Sequence, residues 1–185
     1  MHFRIRDSLL ILALIPTAFA ATTGTIGVLF PANSVYLNGM DTVKYGPITV
    51  GDVIRTRERG LATLQFRHSV VLIPPDSVVR IDSKLLVVDT GTVSLRTGEE
   101  VMGITADVKT DIDDSLNLRV QARDFRIGPF SKHETTLEVT RSNGLIAVRA
   151  VKNAVSITCG ARALRIEEGH QISGMDKPGC VFMSQ

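Results

Sequence analysis

Tryptophan is absent from this 185-residue chain, and aromatic residues make up only 5% of it. Any core must therefore be aliphatic, supplied by Val, Ile and Leu. The same shortage argues against a sugar-binding platform, which relies on Trp or Tyr faces. A dominant charge is missing too: 21 Lys and Arg stand against 19 Asp and Glu, a net +2. Basic residues are not striped with aromatics, so no nucleic-acid partner is expected. No apolar run is long enough to span a bilayer. A phosphate loop, a dinucleotide fingerprint and a Gly-x-Ser-x-Gly elbow are all lacking. No capped amphipathic run of about 12 residues occurs, so little or no helix is expected after the N-terminal segment.

That segment, residues 1–21, stands apart. Arg4 and Arg6 give a basic start, Ser8 to Ile15 is apolar, and Pro16 breaks the run. Ala18-Phe19-Ala20 fits the small-x-small rule of signal peptidase. Cleavage is expected after Ala20, with Ala21 as the other choice and an uncleaved membrane anchor as the alternative. No cysteine follows the run directly, so no lipid anchor is expected. The mature chain is expected to be periplasmic or secreted, meeting the membrane only through its transient signal. Loss of Arg4, Arg6 and Asp7 leaves 19 basic and 18 acidic residues, a charge of about +1.

Cysteine is scarce: Cys159 and Cys180 are the only two. In an exported protein a disulfide between them is expected. It would close a 22-residue segment counted with both ends and contribute about 3 kcal/mol on a chain-entropy basis. Two buried free thiols are the alternative.

What the chain does have is strand grammar. Around Val50–Phe66 it reads turn, short strand, turn, longer strand. Ala62, Leu64 and Phe66 alternate with Thr63, Gln65 and Arg67, the period of a strand with one buried face. Gly51-Asp52 and Arg59-Gly60 provide the turns. Upstream, Ile26, Val28 and Phe30 form an alternating set for a first strand. Asn38-Gly39 signals a hairpin, with Val43 and Tyr45 as its return strand and Gly46-Pro47 as the next break.

Downstream, Ser69–Ile73 and Val78–Ile81 flank Pro74-Pro75, which excludes a central strand between them. Leu85–Val88 and Thr92–Arg96 are read as separate strands around Asp89-Thr90-Gly91. Leu116, Leu118 and Val120 alternate, and Phe125 and Ile127 continue that strand up to a Gly128-Pro129 turn. Thr135–Thr140 and Ile146–Ala150 flank a second hairpin signal, Asn143-Gly144. Strands at Val155–Cys159, Leu164–Ile166 and His170–Ser173 follow. The tail is expected to be irregular and tethered by Cys180. Turns recur about every ten residues, the spacing of a sandwich, a barrel or a short β-solenoid. The expectation is a single all-β domain, 22–185, of many short antiparallel strands.

Chemistry is thin. The aspartates at 107, 111, 113 and 114 miss the spacing of a calcium loop and read as a solvated loop. His68, His133 and His170 lie in no His-x-His or His-Glu-x-x-His pattern, so no metal site is expected. No cofactor and no catalytic residue is assigned. Arg55, Arg57, Arg59 and Arg67 cluster in sequence and read as a solvated charged turn, with a polar protein or polyanion contact as the alternative.

The Gly51-Asp52 turn, the Ile54 and Thr56 that follow, and the Gly60–Phe66 strand resemble the FecR-like periplasmic domain. The run through Ser69–Leu72, Pro75–Ile81 and Gly91–Leu95 extends the likeness. So do Arg123–Ile127, Thr136–Thr140 and Ala163–Ile172. The resemblance covers residues 35–174 and is closest over 50–98. Phe66-Arg67-His68-Ser69 departs from it, standing where the family carries an Asp-Gly turn.

The resemblance implies an exported β-domain used for protein contact in the bacterial envelope. In the family's best-known role the domain is the outer part of an anti-sigma regulator. No cytoplasmic segment precedes the apolar run here, so that role is not expected to carry over whole. The expected function is non-enzymatic protein–protein interaction or signalling with an unidentified envelope protein. An envelope polysaccharide-binding module is the alternative, and a hydrolase with an unrecognised site the third reading.

Overall fold

The computed structural model describes residues 24–82, 85–97, 117–120, 125–130, 133–159, 162–175 and 182–184. Residues 1–21, the aspartates at 107–114 and Cys180 lie outside the described residues.

Among the described residues the regular structure is all β, with no helix, in one strongly curled sheet shaped as a half-barrel. The first half holds β1 (Gly27–Ala32), β2 (Val35–Leu37), β3 (Met40–Asp41), β4 (Gly46–Ile48), β5 (Val53–Thr56), β6 (Leu61–Gln65), β7 (Ser69–Ile73) and β8 (Val78–Ile81). The long β9 (Leu85–Thr97) sits in the middle. The second half holds β10 (Asn117–Val120), β11 (Phe125–Pro129), β12 (Thr135–Ser142), β13 (Leu145–Lys152), β14 (Val155–Cys159), β15 (Arg162–Ile166), β16 (Gln171–Met175) and β17 (Phe182–Ser184).

The strands form two arms that share β9. One runs β4-β1-β6-β7-β9-β12-β13-β16-β17. The other runs β3-β2-β5-β8-β9-β10-β11-β14-β15. The pairings are antiparallel except that β10 lies parallel to the start of β9. Beyond β9, hairpins go alternately to the two arms, and each pairs with the next hairpin of its own arm, β11 with β14 and β13 with β16.

The arms close over one aliphatic core. In the first arm Leu29, Leu64, Val71, Leu95, Leu137 and Ala150 lie opposite one another in a single cross-strand row, all fully buried. Ile54, Val79, Val88, Ile127, Val155 and Ile157 supply the other side. Each such aliphatic chain contributes about 1.5–3 kcal/mol by leaving water. The period of two read at Ala62, Leu64 and Phe66 is present, the first two buried and Phe66 packed against the core.

β9 changes arms at Gly91. Residues 86–90 pair with β8, and residues 91–97 pair with β7 and β12. Gly91 has φ +88, and a Cβ there would lie 2.5 Å from Ser77 Cα and 2.7 Å from the Asp76 carbonyl oxygen. The register with β8 slips at Val78/Val79, which bends the strand at the same point. The Ser77 hydroxyl accepts from Thr92 N at 3.0 Å and supports the bend. The two strands expected on either side of Asp89-Thr90-Gly91 are therefore one continuous strand. The glycine marks a corner rather than a turn.

Both Asn-Gly signals make two-residue hairpins. Asn38 and Gly39 have φ 53 and 82, and Asn143 and Gly144 have φ 50 and 75, the double positive φ of a type I′ turn. The first hairpin returns through Met40 and Asp41, directly opposite Leu37 and Tyr36. Val43 and Tyr45 are not its return strand; they lie in an exposed loop. Gly46-Pro47 does not break the chain but sits in β4, at the end of an arm where proline's missing N–H is tolerated.

The first strand is inverted relative to expectation. Leu29 is its buried residue, while Val28 and Phe30 face outward. Phe125 and Ile127 belong to a separate strand antiparallel to β10, and Gly128-Pro129 is within it. The tail is not wholly irregular, because β16 runs to Met175 and β17 pairs with it. Register constraints of this kind come from partners distant in the chain and leave no local mark.

Candidate functional site

Antiparallel strands with one wet face alternate apolar and polar residues. β7 breaks that rule. Val71 and Ile73 are buried, yet Val70 and Leu72 on its other face are also apolar, and Leu72 is 39% exposed. Leu72 lies opposite Thr63, and Thr63 opposite Phe30. Leu61 is opposite Ala32, and Val70 is linked through Gln65 to Val28. The outer face of β1, β6 and β7 is therefore a continuous, largely apolar surface built around Phe30, Leu61, Val70 and Leu72.

At its rim, the loop before β4 folds Tyr45 against Phe30, with ring centroids 6.1 Å apart and planes 23° from parallel. Phe30, Pro31, Val43, Lys44 and Tyr45 line a groove of about 560 Å³. Tyr45 is 75% exposed. The same outer face turns polar beyond β9. Glu134 accepts from Arg96 Nε at 2.8 Å and from Lys152 Nζ at 3.0 Å. The hydrogen bond from Lys152, with the charge of Arg96 beside it, holds the Glu134 carboxyl below its ordinary value. An apolar field bounded by a charged one on a single sheet is the usual form of a protein-contact surface.

Sequence alone did not point to this surface. Phe30 and Val28 read as core, and Tyr45 as strand. The available signal was Val70-Val71-Leu72-Ile73, apolar on both faces of a strand that only one core can cover.

The turn residues Gly51, Asp52 and Gly60 lie outside this surface. Gly51 has φ +95. Asp52 follows it, its Oδ2 accepting from Thr49 N at 2.7 Å and its Oδ1 from Asn38 Nδ2 at 2.7 Å. Asn38 Oδ1 accepts from Val53 N at 2.8 Å, which ties the first hairpin to β5. Gly60 is buried in a turn closed by its own N–H to the Arg57 carbonyl. A Cβ at Gly60 would press on Arg57 N and O, both at 2.9 Å.

The Phe66–Ser69 departure still makes a tight hairpin, with Phe66 N donating to Ser69 O at 2.8 Å. Neither Arg67 nor His68 has positive φ, so the turn is not of the primed type an Asp-Gly favours. Arg55, Arg57 and Arg59 are exposed around the β5–β6 turn, and Arg57 lies over the Tyr36 ring at 4.9 Å. His68 is in the β6–β7 turn, His133 precedes β12, and His170 precedes β16, its Nδ1 3.1 Å from the Glu168 carbonyl. Among the described residues no group of three or more His, Cys, Asp or Glu could hold a metal ion. No helix there is long and apolar enough to cross a membrane. Cys159 ends β14; its expected partner Cys180 is outside the described residues.

No family model matches the chain, and no curated protein does. Solved structures do. Two crystal structures of a candidate anti-sigma factor from Parabacteroides distasonis align with it at 13% identity. Their TM-scores are 0.50 and 0.47. Each alignment covers 72% of this chain and 58% of the other, so this chain spans little more than half of that protein's length. At this identity the likeness is one of fold alone: an all-β domain that shares its architecture with part of that structure.

Proposed function

We propose that this chain is a FecR-like domain that acts without catalysis, docking an envelope protein in a signalling or regulatory role. The observation that carries the reading is the apolar outer face of β1, β6 and β7, where Phe30, Leu61, Val70 and Leu72 are exposed side by side on the sheet. The likeness to candidate anti-sigma factors supports a regulatory role. The Arg4–Ala20 pattern supports export to the periplasm or beyond.

The test is retention of envelope proteins by the immobilised chain and by Leu72→Lys. One stoichiometric protein, held by the wild type and lost from the variant, supports the reading. Equal retention by both, or retention of glycan alone, sinks it. The near-parallel Phe30–Tyr45 pair favours a second reading, an envelope polysaccharide module. In that case Tyr45→Ala abolishes glycan retention and Leu72→Lys leaves it intact.

A further inference from the structure

The two arms have four end strands, and they are not equivalent. At the N-terminal end, β3 is two residues long and β4 carries Pro47. Both are features that blunt an edge against pairing. At the C-terminal end, β17 has three residues. β15 has five, contains no proline, and keeps an unbroken register with β14 from Arg162↔Cys159 to Ile166↔Val155. Among the described residues β14 is its only strand partner.

One residue on β15 is out of place for a finished edge. Leu164 lies opposite Ile157, which is buried, and two residues from Ile166, also buried. It therefore faces the core, yet it is 42% exposed, on a strand that ends its arm among the described residues. The rule that builds the second half, in which each arm grows by one more antiparallel partner, stops at β15 with a core-facing leucine uncovered.

We propose that β15 pairs antiparallel with β15 of a second copy about a two-fold axis through Leu164, which continues that arm from one chain into the next. Such an axis sets residues whose numbers share the same mean opposite each other. Leu164 then meets Leu164 of the other copy, Arg165 meets Ala163, and Arg162 meets Ile166. No arginine opposes an arginine. The diagonal approach of the two Arg165 residues is offset within each chain, since Arg165 Nε pairs with Glu167 at 2.9 Å and its guanidinium covers Phe130 at 4.3 Å.

A centre on Arg165 would instead place two guanidinium groups face to face, and a centre on Ala163 would set Leu164 against Arg162 and leave it without an apolar partner, so only the Leu164 register pairs the leucines without opposing like charges. A single five-residue strand buries less than the roughly 1,000 Å² of a stable interface. The dimer is therefore reversible and concentration-dependent. This edge is separate from the apolar face of β1, β6 and β7, so the two proposals succeed or fail independently.

Sedimentation of the wild-type chain across a concentration series is expected to show a monomer–dimer equilibrium. Leu164→Lys is expected to stay monomeric with its melting temperature nearly unchanged. Under mild oxidation Leu164→Cys is expected to give a covalent dimer on a non-reducing gel. Ala163→Cys, whose thiols would lie about 7–8 Å apart at Cα on the diagonal, is expected to give none. Wild type run alongside accounts for Cys159 and Cys180. A wild-type chain that stays monomeric at millimolar concentration overturns the proposal. So does dimerisation undiminished in Leu164→Lys, cross-linking at position 163 instead of 164, or a monomer whose β15 pairs only with strands of other proteins.

Discussion

Replacing Gly91 by alanine strikes the corner where β9 passes from one arm to the other, and a three-glycine series resolves the cost. Gly144 has φ +75 with nothing within 4 Å of a built Cβ. Alanine there meets only the left-handed backbone penalty, about 1–2 kcal/mol. Gly60 lies outside the positive-φ set. Alanine there meets only backbone contacts at Ser34 and Arg57, an overpacking cost of about 1–3 kcal/mol.

Gly91 combines both, with Ser77 and Asp76 backbone in the way. Its expected cost is about 2–5 kcal/mol by adding the two ranges, with a midpoint of about 3.5 kcal/mol. A domain of this size loses about 2–4 °C of melting temperature per kcal/mol, so Gly91→Ala should melt roughly 10 °C lower than wild type. Thermal and urea unfolding followed by circular dichroism measure all three. If Gly91→Ala melts no lower than Gly144→Ala, the close approach of β9 to the Ser77 turn is not what shapes the corner, and the reasoning fails.

Three further outcomes follow from named contacts. Asp52→Ala removes the acceptor for Thr49 N and Asn38 Nδ2 and is expected to cost about 1–3 kcal/mol in urea unfolding. The Glu134 carboxyl is held below its ordinary value of 4.5. Its ion pairs therefore contribute stability above the unfolded-state value, and that contribution is lost as pH falls through the lowered folded value. Glu134→Gln should accordingly flatten the acid limb of stability below about pH 4.5, with little change in its slope near pH 7. Thiol titration of exported protein should rise by two on reduction if Cys159 and Cys180 pair; an unchanged count refutes the disulfide.

The all-β class and most strand positions were legible because their signals are local. Alternation at Ala62, Leu64 and Phe66, the Asn-Gly pairs and Pro74-Pro75 each act over a few residues. What was not legible depended on pairing at a distance. The inward side of β1 is set by the match of Leu29 to Leu64, 35 residues away. Nothing local could reveal that Phe30 faces water. Likewise Gly91 looks like a turn residue until Ser77 is known to pack against it. The candidate contact face was hidden for the same reason: its residues are apolar, and apolar residues are read as core unless the register says otherwise.

β9 also governs how the chain holds together in time. Among the described residues, no strand of β1–β8 pairs with any strand of β10–β17; every ladder between the halves runs through β9. The halves are thus two cooperative units with one common member. Local openings that fray β1 or β15 leave the other half intact, whereas opening β9 uncouples everything. The amides of residues 86–97 should therefore be the last to exchange with deuterated solvent, and their exchange rate should report global unfolding alone.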